Sequence, residues 1–308
     1  MFSSRKPNVP TRPIRWEDDI SINALNDAPF ENRVPLSSWA KEDLKIVNNG
    51  RAPVEIVHLD LHAAIDRDTM PIPSNLDREN YSPDFDEYYW LSGHRDFVVA
   101  MGGLEKFGVK PERIMEMGCA SGRVLRHFAL QSDIPEIWGT DINQRHIRWL
   151  LEYMPAHVAA LSLPSLPSFP IEDAYFDAVM AFSVFTHIDT FELSYLAEIR
   201  RILRPGGIAY LTVHTEETWE AASQDFPQAE SMRNRMSNVV PDLEAKLGEP
   251  LPEGRTQYRH SDIGPYRGMV FHSKSYIQNA WGRFFEICEI VPMGHALQTV
   301  VVLRKPTR

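Results

Sequence analysis

A glycine-rich turn between an apolar stretch and an amphipathic one constrains the fold of this chain more than any other feature. It lies in the sequence RIMEMGCASGRVLRHF at residues 113–128. The residues before the turn predict a buried strand (RIMEM), and those after it have the apolar spacing of a helix (RVLRHFAL). A strand that passes through a tight turn into a helix is the first half of a βαβ unit. The turn therefore predicts an α/β fold whose ligands bind at the carboxyl ends of the strands.

The residues that follow continue this alternation of strands and helices. Strands are predicted, in order, at IWGTDI, HVAALSL, FDAVMAF and IAYLTVH. The helices between them are predicted at QRHIRWLLEYM and at FELSYLAEIRRIL, the second of which is ended by RPGG. A last helix, SKSYIQNAWGRF, precedes the strands FEICEIV and LQTVVVLRK. FDAVMAF is apolar almost throughout, as expected for a strand that is covered on both faces.

The chain divides into two predicted parts. Residues 1–80 are rich in Pro, Asp and Asn and are broken only by VEIVHLDLHAAI, which has the pattern of a strand or a short helix. We expect these residues to form an extended N-terminal arm with little core of its own. Residues 81–308 are expected to form the α/β domain. The polar stretch at about 215–268 is too long for a plain connection, so we expect a lid over the substrate there.

Composition argues against several classes of protein. The chain of 308 residues has 42 acidic and 32 basic side chains, and its net charge of -10 would repel a nucleic acid in the absence of a segregated basic patch. No apolar run approaches the roughly 18 residues that a membrane span needs, and the N-terminus lacks the apolar centre of a secretory signal. We therefore expect a cytoplasmic protein without nucleic-acid or membrane partners. Cys119 and Cys288 have no metal-ligand spacing and are expected to be reduced.

The spacing of the glycine turn bears on the charge of its ligand. A dinucleotide site needs G-x-G-x-x-G so that the backbone can approach a pyrophosphate. Here Gly118 is followed by Ala120 and Gly122, and Arg123 stands where a third glycine is needed. Glu116 at the end of the strand would lie close to a bound pyrophosphate, and like charges there cost free energy. The turn therefore favours a ligand that carries positive charge.

The motif E-x-G-x-x-x-G at Glu116, Gly118 and Gly122 resembles motif one of the class I S-adenosylmethionine-dependent methyltransferases. Asp141, at the end of the second predicted strand, matches the carboxylate that holds the ribose hydroxyls in this family. FDAVMAFSVFTHI and LAEIRRILRPGGIAYLTVH resemble its fourth strand, next helix and fifth strand. Taken alone, the glycine turn is also compatible with mere tight packing between a strand and a helix. Asp141 alone is also compatible with the N-cap of a helix. Together the elements agree in order over about residues 86–305.

The resemblance implies a Rossmann-like three-layer sandwich with a mostly parallel seven-stranded sheet and an antiparallel last strand. It implies S-adenosyl-L-methionine as the cofactor, whose ammonium and sulfonium groups suit a nearby carboxylate. The family's acidic residue for adenine has no clear counterpart, since Glu172 and Asp173 lie close to the fourth strand. Backbone groups of Ser162 and Leu163 are the expected substitutes. The implied cofactor-binding residues are Glu116, Gly118, Cys119, Ala120, Ser121, Gly122, Asp141, Ile142, Ser162, Leu163, Phe182 and Ser183.

Residues at the ends of the fourth and fifth strands bear on the acceptor. Methyltransferases that act on exocyclic amines of nucleic acids carry [DN]-P-P-[YF] after the fourth strand, whereas this chain has AFSVF. Phe182, Ser183, His214 and Thr215 stand where metal-assisted relatives place carboxylates or amides, so no metal is expected. His187 and His214 are the candidate general bases. The alternative role for His187 is capping or packing near a helix start.

A second pair of polar residues near the end of the chain has a simpler interpretation. His295 and Gln298 flank the turn before the last strand, in MGHALQTVV. We expect this pair to stabilise that turn rather than to take part in chemistry.

Two functions of different classes remain open from the sequence. The first is a metal-independent methyltransferase that acts on an O or N atom of a small polar acceptor, such as a sugar-bearing metabolite. The second is a catalytically inactive methyltransferase-like module that binds or regulates a partner. The intact set of Glu116, Gly118, Gly122 and Asp141 favours the enzyme. The missing third glycine disfavours a nucleotide-sugar or NAD-dependent enzyme, and the sequence does not predict an oligomeric state.

Overall fold

The computed structural model describes residues 28–36, 61–78, 81, 86–259 and 268–307. These residues contain nine strands, which are β1 (Arg113–Met117), β2 (Glu136–Asp141), β3 (Val158–Ser162), β4 (Phe176–Ala181), β5 (Leu203–Val213), β6 (Arg255–Tyr258), β7 (Met269–His272), β8 (Glu286–His295) and β9 (Gln298–Arg304). The helices among them are α1 (Leu61–Arg67), α2 (Asp86–Lys106), α3 (Leu125–Gln131), α4 (Gln144–Tyr153), α5 (Glu192–Ile202), α6 (Glu216–Ala222), α7 (Pro227–Ser237), α8 (Leu243–Leu247) and α9 (Lys274–Ala280).

Seven strands form one sheet in the order β3-β2-β1-β4-β5-β9-β8. The first five of these in the chain, β1 to β5, are parallel to one another. The last strand, β9, inserts between β5 and β8 and is antiparallel to both. The predicted Rossmann-like architecture, with a mostly parallel seven-stranded sheet and an antiparallel last strand, is confirmed.

Two apolar clusters, one on each face of the sheet, form the core. Successive residues of a strand point to opposite faces, so Ile114 packs with residues of α2, α3 and α4, whereas Met115 packs with residues of α5 and α9. β4 contributes buried residues to both clusters and is fully covered along its length. The layers therefore follow the three-layer arrangement, and the carboxyl ends of β1, β2, β4 and β5 meet at one edge.

The structure corrects three predicted boundaries. α3 begins at Leu125 rather than at Arg123, because residues 121–124 still belong to the turn. The RPGG sequence belongs to β5, because this strand already starts at Leu203. Leu203 pairs with Phe176 of β4, and the register of the two strands shifts between Phe176 and Ala178. The last predicted helix is α-helical only to Ala280 and continues as a short 3₁₀ turn.

Residues 61–78 pack against the α/β domain through a buried ion pair. The Arg126 side chain of α3 donates from Nε and Nη2 to the two Asp68 oxygens at 2.7 and 2.8 Å, and both side chains are fully buried. Trp90 of α2 donates to the same carboxylate at 2.7 Å. Of the predicted strand or helix at 54–65, only residues 61–65 are described, and they are helical. The division at residue 80 stays a prediction.

The described residues of the stretch 215–268 form α6, α7, α8 and the strand β6, which pairs with β7 in a separate two-stranded sheet. Trp219, Met232, Met236 and Phe271 are central members of a small apolar cluster there. Residues 260–267 of the predicted lid lie outside the described residues. The lid function stays a prediction.

Two further findings concern the described residues. Cys119 and Cys288 are both free, as predicted. Within the ranges that the structure describes, no helix has the combination of length and apolar character that a membrane crossing requires.

The buried pair gives a prediction about stability. Replacing Asp68 by Ala leaves the Arg126 guanidinium buried without its counter-charge, so we expect unfolding to become easier by about 3–5 kcal/mol. The matched control is the double variant Asp68→Leu with Arg126→Met, which removes both charges and should cost less than the single change. Urea unfolding followed by circular dichroism measures both. A double variant as unstable as Asp68→Ala would show that packing, and not the uncompensated charge, dominates.

Candidate functional site

A cavity of about 870 Å³ opens where the carboxyl ends of β1, β2, β4 and β5 meet. This position and size are typical of ligand sites in open α/β sheets. Most of the predicted site residues line it together, and two do not, namely Gly122 and Ser162. The predicted residues that line it are Glu116, Gly118, Cys119, Ala120, Ser121, Asp141, Ile142, Leu163, Phe182, Ser183, His187 and His214.

The two glycines of the motif are required by the shape of the turn. Gly118 has a φ of 68°, and a Cβ placed there would lie 2.4 Å from Cγ2 of Val184. Gly122 has a φ of 79°, and its Cβ would lie 2.2 Å from Cε of Met154. A side chain at either position would meet both backbone strain and a steric clash. Gly122 therefore shapes the turn from behind the cavity rather than lining it.

The backbone donors of the turn are largely used inside the protein. The N–H groups of Gly118 and Cys119 both donate to the Thr140 carbonyl oxygen, at 2.7 and 3.1 Å. The N–H of Ala120 donates to Oδ2 of Asp141 at 2.8 Å. A pyrophosphate is usually bound by such N–H groups at the start of a helix. Their use within the protein agrees with the expectation of a ligand other than a dinucleotide.

Glu116 is the electrostatic centre of this end of the cavity. Its side chain is 3% exposed, and among the described residues Oε2 has no hydrogen-bond partner. Burial raises the pKa of Glu116 to about 8, with the Arg123 charge opposing the shift and Asp96 and Asp141 adding to it. A buried carboxylate oxygen without a partner is costly. A cationic group bound in the cavity would supply the missing partner, so the residues fit a ligand that carries an ammonium group.

Asp141 is fixed by backbone bonds and is not the N-cap of the next helix. Its Oδ1 accepts from the N–H of Asn143 at 2.7 Å, and Asn143 itself caps α4 by accepting from the N–H of Arg145. Each carboxylate oxygen keeps a further lone pair, so the group can still accept from a vicinal pair of hydroxyls. The N-cap alternative for Asp141 is wrong, and the ribose role stays a prediction.

The expected backbone contacts to adenine need correction. The N–H of Leu163 donates to the carbonyl oxygen of Asp141 at 2.9 Å and so does not face a ligand, while Ser162 lies outside the cavity lining. Leu163 and Phe169 contribute apolar side chains to the cavity wall instead. Asp173 is bound by Arg201 at 2.8 Å, and its side chain is 78% exposed. These contacts favour an apolar surface for the adenine ring.

Both candidate bases reach the same cavity. Nδ1 of His187 lies 2.8 Å from the Gly268 carbonyl oxygen. Because a carbonyl only accepts, Nδ1 carries the hydrogen and the lone pair of the neutral ring is on Nε2. His214 is 3% exposed. Burial holds the pKa of His214 well below its ordinary value, and the charges of His187 and Arg235 act in the same direction. His214 is therefore neutral at physiological pH.

The sequence analysis missed several residues that line the cavity. Arg78 and Tyr81 come from the N-terminal segment, and Arg235 comes from α7. Arg123 had a visible signal, since it stands where a dinucleotide motif needs glycine, and it binds Asp96 at 2.6 Å and lies over the Tyr81 ring. No local pattern marks the others. In the part of the chain that the structure describes, no group of three or more His, Cys, Asp or Glu side chains has metal-site geometry.

The expected turn-stabilising pair of His295 and Gln298 is wrong. The two residues are opposite each other at the end of the β8–β9 ladder, but their side chains make separate contacts. Nδ1 of His295 lies 3.2 Å from Oδ1 of Asp96. Gln298 reaches Ser183 and Thr212 and lines the cavity.

Comparison with known proteins gives matches to methyltransferases. Residues 115–211 match the family model of a methyltransferase domain. An uncharacterised 37.1 kDa protein in transposon TN4556 of Streptomyces fradiae is 30% identical over 142 residues, or 44% of this chain and 39% of that protein. The ubiquinone/menaquinone biosynthesis C-methyltransferase UbiE of Cupriavidus taiwanensis is 29% identical over 143 residues, or 44% of this chain and 57% of UbiE. The chain thus spans less than two thirds of the length of these curated relatives.

A solved structure was also matched. The S-adenosylmethionine-dependent methyltransferase of Methanosarcina mazei shares 18% identity with a TM-score of 0.46, over 65% of this chain and 94% of that one.

The raised pKa of Glu116 predicts a pH-dependent stability. The folded protein holds this proton up to a pH of about 8, whereas an unfolded chain loses it near 4.5. The contribution of Glu116 is therefore full below pH 4.5 and is lost as the pH rises through 8. Between pH 4.5 and about pH 8, the unfolding free energy of the wild type should fall by at most about 1.4 kcal/mol per pH unit relative to that of Glu116→Gln, which does not titrate.

Urea unfolding of both proteins at several pH values measures this difference. The buried histidines are common to both proteins, so their titration cancels in the comparison. A difference that stays constant with pH would mean that Glu116 is already ionised in the folded protein without ligand.

Proposed function

The chain carries a class I S-adenosylmethionine-dependent methyltransferase domain, and on that premise we propose that it transfers the methyl group to an O or N atom of a small polar molecule without a metal ion. The observation that carries the proposal is Glu116, which lines the cavity and whose buried Oε2 has no partner among the described residues. We further propose that the reaction takes place in the cytoplasm.

The chain's own residues fit the two ends of the cofactor. Glu116 would bind the ammonium group and become ionised in doing so, while Asp141 would accept from the ribose hydroxyls. Arg78 and Arg123 bring positive charge to the same end, which suits the carboxylate of the methionine moiety. Leu163 and Phe169 offer an apolar surface to adenine. The cofactor supplies an electrophilic methyl group on a sulfonium.

The acceptor half of the cavity supports a small-molecule substrate. Its polar lining comes from hydroxyl, imidazole and amide side chains such as Ser183, His187, His214 and Gln298. The UbiE relatives act, by name, in ubiquinone and menaquinone biosynthesis, which supports a small acceptor here too. Their names specify carbon as the methylated atom, so the position of the new methyl group must be determined for this chain.

A general base completes the proposed reaction for a hydroxyl acceptor. His214 or His187 would accept the proton of the acceptor hydroxyl as the methyl group is transferred to it. Alignment of the three reacting atoms supplies most of the acceleration. The competing function is an inactive module that binds the cofactor without turnover. Incubation with tritiated methyl donor and small acceptors separates the two, since only an enzyme transfers label.

Asp141 provides the test of cofactor binding. We expect Asp141→Ala to weaken binding of S-adenosylhomocysteine by about 1.5–3 kcal/mol for each charge-assisted bond lost. Calorimetry measures the affinity. Asp173→Ala is the matched control, since this carboxylate is exposed and bound to Arg201 outside the cavity. Unchanged affinity in Asp141→Ala would remove the ribose role.

The environment of His214 predicts the pH dependence of the reaction. Since the lowered pKa keeps this imidazole neutral, kcat should stay flat between about pH 6 and pH 8 if His214 is the base. His214→Ala should then lower kcat by about 10²- to 10⁴-fold with little change in cofactor affinity. If His214→Ala keeps full kcat and His187→Ala does not, His187 is the base.

A further inference from the structure

Ser183 has an unusual backbone at the centre of the cavity. It is not glycine, yet its φ is 60°, in the left-handed region. Such a conformation is strained for an L-residue and persists only where its surroundings hold it. Residues in this conformation are enriched at functional sites, so the contacts that hold Ser183 are informative.

The hydrogen bonds around Ser183 can be assigned one hydrogen at a time. The Ser183 N–H donates to Oγ1 of Thr212 at 2.6 Å. The single hydroxyl hydrogen of Thr212 then donates to Oε1 of Gln298, also at 2.6 Å. This contact fixes the orientation of the amide, so Nε2 of Gln298 donates to Oγ of Ser183 at 2.9 Å. Thr212 is fully buried and Gln298 is 9% exposed, so the network is shielded from water.

The network leaves the Ser183 hydroxyl as a donor. Its oxygen already accepts from Gln298, so its own hydrogen has two destinations. One is Oε1 of Gln298 at 3.2 Å, an oxygen that already accepts the shorter bond from Thr212. The other is the cavity that Ser183 lines. A bound molecule with a lone pair near Ser183 would receive this hydrogen.

Ser183 lies at the junction between the cofactor turn and the candidate bases. The next residue, Val184, packs against Gly118 so closely that a Cβ there would lie 2.4 Å from it. On the other side, Thr186 donates to the Ser183 carbonyl oxygen at 2.6 Å, and His187 follows in the same turn. The family resemblance places Ser183 with the cofactor. Ser183 therefore lines the cavity between the glycine turn and the candidate bases.

We propose that Ser183 binds the acceptor atom itself and that this atom is oxygen. An oxygen nucleophile has two lone pairs, so one attacks the methyl carbon while the other accepts the Ser183 hydrogen. A neutral amine nitrogen has only one lone pair, which a bond donated by Ser183 would occupy. Its N–H could bind Oγ only with the Ser183 hydrogen left on the longer contact to Oε1 of Gln298, at 3.2 Å. The sulfur keeps the electron pair of the broken bond, and a hydroxyl acceptor gives its proton to His214 or His187. Thr212 and Gln298 are positioning residues that act through Ser183.

This inference rests on the proposed function, and the first measurements keep the two apart. Calorimetry with S-adenosylhomocysteine should give the same affinity, within about twofold, for the wild type and Ser183→Ala. A wild type that does not bind it overturns the proposed function. If only Ser183→Ala loses binding, the hydroxyl serves the cofactor and the inference is wrong.

The decisive experiment determines where the methyl group goes. The enzyme is incubated with ¹³C-methyl-labelled S-adenosylmethionine and a panel of probes: phenol, catechol, benzoate, glucose, aniline and benzylamine. The carbon chemical shift of the product separates O-, N- and C-methyl groups. An O-methyl product, formed about tenfold more slowly by Ser183→Ala, supports the proposal. An N- or C-methyl product overturns the inference and leaves the enzyme assignment intact, whereas no transfer to any probe overturns both.

A pair of variants at Thr212 tests the positioning network. Thr212→Val removes the hydroxyl at nearly the same volume and should lower kcat about tenfold with little change in the KM for the cofactor. Thr212→Ser keeps the hydroxyl and should recover most of this loss, which a purely structural effect of volume would not produce. Thr307→Val, at an exposed position near the end of the chain, is the control for a threonine outside the site. Equal kcat in Thr212→Val and Thr212→Ser would overturn the positioning role.

Discussion

The site depends on the bonds that join the glycine turn to β2. The Thr140 carbonyl oxygen and the Asp141 carboxylate accept from three successive N–H groups of the turn, Gly118 to Ala120. The Asp141 carboxylate, which is proposed to meet the cofactor, is therefore positioned by backbone before any ligand binds. Groups ordered in advance lose less conformational freedom on binding, which favours affinity.

The features that rest on contiguous residues could be predicted from the sequence. The strands, the turn and the two carboxylates follow from local spacing, and the structure places them together. Gln298 could not be predicted, because it is 115 residues away from Ser183 in the chain. It reaches the site only because β9 runs antiparallel to β5, which brings the start of β9 to the carboxyl end of β5. The residues around Gln298 predict only a turn and a strand, and it is the family resemblance that implies the antiparallel last strand.

The cavity is built partly from the matched segment of the chain and partly from residues on either side of it. The segment that matches the methyltransferase family, residues 115–211, contains the glycine turn, both carboxylates and Ser183. His214, Arg235 and Gln298 lie after it, and Arg78 lies before it. Residues outside the matched segment can thus change acceptor specificity while the glycine turn and both carboxylates stay within it. Relatives that share only the matched segment are accordingly a weak guide to the acceptor.

The buried bond between Asp68 and Arg126 has a consequence for how this protein can be divided. Arg126 belongs to the segment of family similarity, but its counter-charge lies well upstream of that segment. A fragment trimmed to the boundary of similarity would bury a guanidinium with nothing to neutralise it. The unit that folds is therefore larger than the unit that sequence comparison recognises. A shuffled or transplanted version of this domain must carry residues 61–78 along with it.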